Sequence, residues 1–434
     1  SYDNFEIINF KEYGDLNVHR ELGLNNLERS FENILKIGFE KKVVSESPFY
    51  QAALSLKKKY RPRLVGISIS FYEQFFYALQ FAKLIKSFDK NIFICLGGPL
   101  ISSNIDELVK EKKLSLYIDG LVVGDGEEPL ASLIKELSQK KQFSQIPNFC
   151  YKGKKGQWEK SKLSFNCTVE HLKIIPVYDG LEAERIPLRV SIGCPWGKCS
   201  FCTYRLLQNS FLAINSDNFI EVVSRVVKNN PGKSIVFYDD SFLPEQLKKY
   251  SKKILESKLI FDWDVFLLEL NSGFLKNDIP YLMKKAGCNS VFFGMESMSP
   301  RILKLMGKRE TDPQSVIKIL KAFKKAKIEA NLFVMFGFPS ETKKEALMTL
   351  DFLKNNRNLF QRASIQRFCL EKNTEIFNNP KKFFINFIDK KKKNRGTRFG
   401  YYYKTSKGMG EEELKDFLNY AKEFFPFQEE NIKF

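Results

Sequence analysis

Long apolar segments are missing from this 434-residue sequence, although 43% of its residues are hydrophobic. No run reaches the roughly 18 to 20 apolar residues that a membrane-spanning helix needs. The first residues, SYDNFEII, also lack the basic and apolar stretches of a secretory signal. We therefore expect a soluble, cytoplasmic protein that makes no membrane contact.

Histidine is rare and cysteine is unevenly placed, with 2 and 8 residues respectively. Three cysteines lie within nine positions, whereas the other five are scattered and are expected to be small buried residues. In a reducing compartment such clustering favours metal binding over disulfide bonds. The clustered residues are Cys194, Cys199 and Cys202, and the scattered ones are Cys95, Cys150, Cys167, Cys288 and Cys369.

Acidic residues are outnumbered, 51 against 70 Lys and Arg, which gives a net charge of +19. The basic excess is diffuse and is densest between Lys381 and Arg398. No nucleic-acid-binding motif accompanies it, so a nucleic acid partner is not expected and the stretch is interpreted as solvated surface. A site for an acidic substrate or for RNA is the alternative for this stretch.

The first 140 residues alternate strand-like and helix-like patterns, which predicts an α/β, doubly wound, Rossmann-like domain over 1–140. Its strands include Phe5–Phe10, Leu64–Ser70 and Asn91–Gly98, and an early helix carries Leu24 to Leu35. Loops at the carboxyl ends of such strands form a ligand crevice, although ordinary turns would have the same composition. The candidate loop residues are Ser70, Phe71, Tyr72, Gly97, Gly98, Pro99, Gly124, Asp125, Gly126 and Glu127.

A second alternation of strands and helices over 187–356 predicts a partial (β/α)6 barrel, whose chemistry belongs at the carboxyl ends of its strands. Residues 141–186 are interpreted as a linker with a hairpin, and 357–434 as a small C-terminal α+β segment that covers the substrate. The predicted barrel strands are Leu188–Ile192, Ser234–Tyr238, Trp263–Glu269, Ser290–Met295, Asn331–Gly337 and Ala363–Phe368.

Cys194 is expected to end the first predicted barrel strand, and SIGCPWGKCSFCTY places Cys199 and Cys202 on the short loop that follows. Three thiolates on one loop can bind three irons of a 4Fe-4S cluster and leave the fourth iron open. A structural zinc site is the alternative, but zinc usually has four ligands and no nearby His or Cys pair completes the set. Cys150 or Cys167 would make an electron-carrier cluster only if it supplied a fourth thiolate.

This loop resembles that of the radical S-adenosylmethionine (SAM) superfamily, in which the open iron binds SAM. The family usually has three and two residues between its cysteines, whereas this chain has four and two. Phe201 fills the usual aromatic place before the last cysteine. The resemblance implies SAM-binding residues after later barrel strands, where capping and turns would otherwise explain them: Asp239, Asp240, Glu296, Ser297, Gly337, Phe338 and Pro339.

The N-terminal part is similar to the cobalamin-binding domain of one radical SAM subfamily, in VGISISF, CLGGP and VVGDGEEPL. The resemblance implies that the three candidate loops bind cobalamin. Many cobalamin proteins bind cobalt through a histidine in an Asp-x-His-x-x-Gly loop. Here only Asp15, His19 and Gly23 approach that pattern, with longer spacings. His19 is therefore a candidate cobalt ligand, and an open or water-bound lower face is the favoured interpretation.

The resemblance implies an enzyme that methylates an unactivated carbon of a peptide or small-molecule substrate, using a 4Fe-4S cluster, SAM and cobalamin. The radical would come from SAM, and the methyl group from methylcobalamin. An external donor such as flavodoxin or ferredoxin would supply electrons. A radical enzyme that rearranges its substrate, or contracts a ring, is one alternative. A cobalamin or iron-sulfur sensor without enzymatic activity is another.

Overall fold

The computed structural model describes residues 50, 53–55, 61–70, 72–139, 142–164, 166–178, 183–203, 211–308, 312–393 and 400–425. The expected strand at Phe5–Phe10, the helix from Leu24 to Leu35 and the candidate ligand His19 lie outside these residues. The chain divides into two compact units. The first comprises residues 1–166 and 390–400, and the second comprises residues 167–389 and 401–434.

The first unit contains a five-stranded sheet in the order β1-β2-β3-β4-β5. The first three strands are parallel and the last two are antiparallel. Strand β1 pairs with β2 from Leu64 opposite Phe93 to Ser68 opposite Gly97. The strands are β1 Leu64–Ser68, β2 Phe93–Gly97, β3 Gly120–Val122, β4 Phe149–Lys152 and β5 Trp158–Lys160.

Alternate residues of this sheet enter two different cores. Ile94 and Leu96 join one apolar cluster with Leu79, whereas Cys95 and Val122 join another with Leu133. Side chains of a strand point alternately to its two faces, so both faces of this sheet are covered by apolar packing. The helices of this unit are α1 Tyr72–Phe88, α2 Pro99–Ser103, α3 Ile105–Leu108 and α4 Glu127–Ser138.

The hairpin between residues 149 and 160 is present, but it is not part of a linker. Leu121 of β3 lies opposite Cys150 of β4, so the hairpin extends the first sheet. Phe149 and Cys150 are buried in the two cores of that sheet. Their burial explains why a segment with few strong local signals pairs with β3.

The second unit is built on six parallel strands in the order β13-β12-β11-β10-β9-β6. This order follows the chain, except that β7 and β8 intervene between β6 and β9, and it matches a partial β/α barrel. Two short pairs of strands lie outside this sheet: β7 with β8, which are antiparallel, and β14 with β15. The strands are β6 Arg185–Leu188, β7 Ser191–Ile192, β8 Leu212–Ala213, β9 Ser234–Phe237, β10 Trp263–Leu268, β11 Cys288–Glu296, β12 Glu329–Phe336, β13 Arg362–Arg367, β14 Ile385–Lys393 and β15 Tyr401–Thr405.

Helices pack on one face of this sheet and form a large apolar core with Val265, Phe293 and Leu332. Among the described residues, every helix is too short or too polar to span a lipid bilayer. The helices are α5 Ser216–Asn229, α6 Pro244–Ser257, α7 Ile279–Lys285, α8 Pro300–Met306, α9 Pro313–Lys325, α10 Lys343–Asn355, α11 Glu375–Asn378 and α12 Glu411–Phe424.

Five of the six predicted barrel strands agree with the structure to within a few residues, but the first is displaced. It was predicted at Leu188–Ile192, whereas β6 ends at Leu188. Ser191 and Ile192 pair instead with Ala213 and Leu212 in the antiparallel pair β7-β8. The chain therefore leaves the sheet before the cysteine loop begins, and Cys194 does not end a barrel strand.

Candidate functional site

The chain entering the cysteine loop is held by two carboxylates that follow β9. Asp239 Oδ1 accepts hydrogen bonds from the amides of Val190 (2.9 Å) and Ser191 and from the Ser191 hydroxyl (2.7 Å). Asp240 Oδ2 accepts one from the amide of Gly193 at 2.9 Å. These bonds explain the displacement of the first strand, because they satisfy backbone donors that a longer ladder would otherwise use.

Burial raises the pKa of Asp239 to about 7, against the lowering effect of its hydrogen bonds from Ser191 and Val190. The side chain is 1% exposed, and its Oδ2 atom has no hydrogen-bond partner. Asp240 also lies 3.5 Å from the guanidinium of Arg189. The structure thus gives both aspartates a positioning role beside the loop, and contact of either with SAM stays a prediction.

The cysteine loop is docked on the C-terminal end of α8. The Trp196 indole N–H donates to the carbonyl of Gly307 at 2.8 Å, and the Ser200 amide donates to the carbonyl of Met306 at 2.8 Å. The Ser200 hydroxyl also donates to Leu305 at 2.9 Å. Residues more than 100 positions apart therefore fix the backbone between Cys194 and Cys202.

Gly307 makes this close approach possible. It ends α8 in the left-handed conformation, with φ of 67°, and a Cβ atom there would lie 2.4 Å from the carbonyl oxygen of Lys198. Only glycine avoids that collision and adopts this φ without cost. Gly307 was not among the residues singled out from the sequence, although a glycine after an apolar helix is an ordinary C-terminal signal.

The three loop thiols share one environment, and their binding of a 4Fe-4S cluster stays a prediction. All are partly buried, and Cys199 interacts electrostatically with both Cys194 and Cys202. Within the described residues, no group of three His, Cys, Asp or Glu side chains is close enough to hold one metal ion. A 4Fe-4S cluster needs its thiolates further apart, because each binds a different iron.

A buried lysine lies beside Cys199. Burial raises the pKa of the Cys199 thiol to about 12, while Lys308 acts in the opposite direction. The Lys308 ammonium donates to the carbonyl of Gly294 at 3.0 Å and lies 3.3 Å from Glu296 Oε1. Burial opposes its charge, but Glu296, Cys199 and Glu269 together raise the pKa of Lys308 above its ordinary value. The Lys308 ammonium is therefore paired with the Glu296 carboxylate beside the cysteine loop.

Glu296 and Ser297 are adjacent in sequence, but their side chains have different surroundings. Glu296 has a φ of 61° at an irregularity in the pairing of β11 with β12, and its carboxylate reaches Lys308. Ser297 is buried, and its hydroxyl accepts a hydrogen bond from the amide of Ser299 at 3.1 Å. Glu296 thus lies at the candidate site, whereas Ser297 supports the start of α8. Their binding of SAM stays a prediction.

The loop after β12 is covered by the C-terminal part of the second unit. Gly337 has a φ of 77°, and a Cβ atom there would lie 2.4 Å from the side chain of Leu414 in α12. The Tyr403 hydroxyl donates to the Gly337 carbonyl at 3.2 Å. Phe338 is buried in a cluster against which Phe201 of the cysteine loop also packs. The predicted SAM-binding role of Gly337, Phe338 and Pro339 is not tested by these contacts.

The three candidate loops of the first unit lie at one edge of its sheet, since β1, β2 and β3 are parallel. A Cβ atom on Gly98 would lie 2.6 Å from the Ile69 carbonyl oxygen, which explains the glycine by loop packing. The amide of Gly124 donates to the Ser102 hydroxyl at 2.8 Å. Ser70 lies just after β1, and Tyr72 begins α1, whereas Phe71 lies outside the described residues. Gly97 ends β2 and Pro99 begins α2. Asp125 and Gly126 precede α4, which begins at Glu127.

Residues 188–353 match the family model for the radical SAM superfamily. The match begins at the last residue of β6 and includes the cysteine loop, the two aspartates after β9 and Lys308. Residues 188–353 form a radical SAM domain. The domain is therefore the part of the second unit that carries the candidate site.

Similarity to known proteins extends beyond that domain. An uncharacterized methyltransferase, PH0819 of Pyrococcus horikoshii, is 31% identical over 310 residues, which is 68% of this chain and 65% of that protein. The chain thus spans slightly less than two thirds of that relative's length. This similarity includes residues outside 188–353, because it is longer than the matched domain.

Two solved structures share the fold at low sequence identity. One is the cobalamin-dependent radical SAM enzyme OxsB with aqua-cobalamin and SAM bound, at 18% identity and a TM-score of 0.57, covering 83% of this chain and 53% of that one. The other is the radical SAM methyltransferase TsrM from Kitasatospora setae with tryptophan substrate and a SAM analog bound. It has 15% identity and a TM-score of 0.58, covering 76% of this chain and 67% of that one.

Proposed function

We propose that this chain is a cobalamin-dependent radical SAM methyltransferase that methylates an unactivated carbon of a peptide or small-molecule substrate. The observation that carries the proposal is the docked cysteine loop, in which three thiols share one environment beside the Lys308–Glu296 pair. When bound, the cluster supplies the electron that cleaves SAM, and cobalamin supplies the methyl group. An external flavodoxin or ferredoxin would deliver the electron.

The residues around the loop have separable tasks in this proposal. Cys194, Cys199 and Cys202 would hold the cluster through three irons and leave the fourth for SAM. The buried ammonium of Lys308 and the carboxylate of Glu296 offer partners of opposite sign to the carboxylate and ammonium of the methionine part of SAM. Asp239 and Asp240 would keep the loop in place through their hydrogen bonds to its entry.

Two features support the cobalamin assignment. The first unit has three loops at the carboxyl edge of parallel strands, which is where open α/β sheets bind ligands. The fold is shared with OxsB, whose structure contains aqua-cobalamin and SAM. We propose cobalamin binding by residues 70–72, 97–99 and 124–127, with residues 357–434 as the segment that covers the substrate.

The stoichiometry of SAM use tests the proposal. With its substrate, the reconstituted enzyme should consume two SAM per methylated product, one released as 5'-deoxyadenosine and one as S-adenosylhomocysteine. The two products follow from two tasks, making a radical and reloading cobalamin. Cys199→Ala should stop both products under multiple turnover, and Cys288→Ala, which removes a buried thiol outside the loop, should retain them. Products are quantified by liquid chromatography and mass spectrometry.

Formation of 5'-deoxyadenosine without S-adenosylhomocysteine, and with a product of unchanged mass, would reject methyl transfer in favour of rearrangement. Absence of SAM cleavage by the reduced, substrate-supplied protein would support a sensor instead. Each outcome is read from the same reaction mixture.

A further inference from the structure

Four aromatic rings form a continuous row across the barrel sheet. Tyr238, directly after β9, stacks on Phe266 of β10 with ring centres 4.6 Å apart. Phe266 in turn lies 5.9 Å from Phe292 of β11 and 5.8 Å from Phe333 of β12. Phe292 and Phe333 are stacked at 5.2 Å. We call these four residues the aromatic platform.

The platform lies on the face of the sheet opposite the helices. Val265, Phe293 and Leu332, the sequence neighbours of three platform residues, belong to the large core that the helices build. Neighbouring residues of a strand point to opposite faces, so the platform rings point away from that core. Among the described residues, none of the apolar core clusters includes a platform ring, and all four rings are partly exposed.

Polar groups border the platform at both ends of the strands. Towards the carboxyl end, a Cβ atom on Gly294 would lie 2.8 Å from Lys308 Nζ, so the ammonium lies over the same face two residues beyond Phe292. Towards the amino end, Asp264, two residues before Phe266, is 3.3 Å from the guanidinium of Arg185. A contiguous, partly exposed aromatic surface between charged groups is typical of a ligand site.

We propose that the aromatic platform binds a flat, unsaturated ring system of the methyl acceptor, an inference that rests on the proposed function. Four rings with centres 4.6 to 5.9 Å apart offer both faces and edges to a flat ligand. A saturated chain has no aromatic ring and cannot make these stacking or edge-to-face contacts. SAM is expected further along, near Glu296 and the loop at Gly337, which lies past the end of β12.

A matched pair of ligands tests this proposal on the anaerobically reconstituted chain. The probes are 2-naphthoate and decahydro-2-naphthoate, which share a carboxylate and a carbon skeleton but differ in flatness. We expect 2-naphthoate to bind at least fivefold more tightly. Phe266→Leu and Phe292→Leu should each weaken 2-naphthoate about threefold to tenfold, with little effect on the saturated probe. Tyr281→Leu, which removes an exposed ring elsewhere, is the control.

Binding of SAM to the same variants, measured by equilibrium dialysis, separates two sources of a flat ring. Unchanged SAM binding with weakened 2-naphthoate supports the proposal, whereas a parallel loss of both shows that the platform holds adenine and overturns it. Equal affinity of the wild type for both probes, or no binding of either, also overturns it. These binding measurements need no turnover, whereas the proposed function is tested by the products of SAM during turnover. Failure of the two proposals is therefore distinguishable.

Photolabelling of the wild-type chain avoids dependence on the folding of the variants. An azido derivative of 2-naphthoate should label peptides that contain Phe266, Phe292 or Phe333, and excess 2-naphthoate should prevent this. Labelling confined to other peptides overturns the proposal.

Discussion

Glu341 is an acidic side chain placed inside the protein rather than on its surface. It is 1% exposed, and its Oε2 atom accepts a hydrogen bond from the Gly337 amide at 2.6 Å. Its Oε1 atom has no hydrogen-bond partner. Burial raises the pKa of Glu341 to about 8, helped by Glu345 and opposed by Arg301. Burial therefore favours the protonated form of this carboxyl group in the loop after β12.

A pH-dependent stability follows from that pKa. Because the folded protein holds the proton more tightly than the unfolded chain, the free energy of unfolding falls as pH rises from about 4.5 to 8. Glu341→Gln removes this titrating group. The free energy of unfolding of the variant, relative to that of wild type, should therefore rise by on the order of 3 kcal/mol from pH 5 to pH 9. Urea unfolding at several pH values measures the difference. Both proteins contain Asp239, so its titration does not affect the difference between them.

Glu412→Gln, on the exposed side of α12, is the control and should show no such trend. A difference between Glu341→Gln and wild type that stays constant with pH would contradict the burial argument.

The cysteine loop and α8 act as one element, although they are far apart in sequence. Trp196 and Ser200 bond to the last residues of the helix, and Gly307 leaves space for the backbone of Lys198. At the other end of α8, Arg301 binds Glu345 of α10 at 2.6 Å and the Ser340 carbonyl at 2.7 Å. The helix therefore connects the cysteine loop to the loop after β12.

Gly307→Ala should uncouple this element. The added Cβ collides with the Lys198 carbonyl, and the left-handed conformation adds about 1 to 2 kcal/mol of cost. We expect the iron and sulfide content after anaerobic reconstitution to fall severalfold while circular dichroism shows a retained fold.

Gly232→Ala is a matched control, because Gly232 has a φ of 79° but nothing within 4 Å of its added Cβ. Equal iron loss in the two variants would show that backbone strain alone, rather than loop docking, controls cluster retention.

At the scale of the whole molecule, the chain has two units, each with its own sheet. The first unit offers three loops at one sheet edge, and the second carries the radical SAM domain. The first candidate loop lies close to the second, since the Leu100 amide donates to the Ile69 carbonyl at 3.0 Å. This packing favours a preformed edge for a large ligand.

Purified protein should accordingly take up about one hydroxocobalamin per chain, as measured by its visible spectrum after gel filtration. His19→Ala should retain the cofactor with an almost unchanged spectrum, because the expected lower face of cobalt is open or water-bound. His171→Ala is the control for the other histidine in the chain. A large spectral change confined to His19→Ala would establish histidine ligation and correct that expectation.

Local sequence determined much of this protein. Strands β9, β11 and β12 were predictable because runs rich in β-branched and aromatic residues end near Asp, Ser or Gly. The three cysteines were recognisable because they lie within nine positions on one short loop. The family match over 188–353 confirms the radical SAM prediction made from these residues.

Only the tertiary structure decided where β6 ends, that the hairpin at 149–160 joins the first sheet, and that Lys308 lies beside Cys199 and Glu296. The aromatic platform likewise joins four strands that span nearly 100 residues. These features depend on hydrogen bonds and side-chain contacts between residues that are far apart in sequence. Local propensity describes only neighbouring residues, so it carries no information about which distant residues pair in the folded chain.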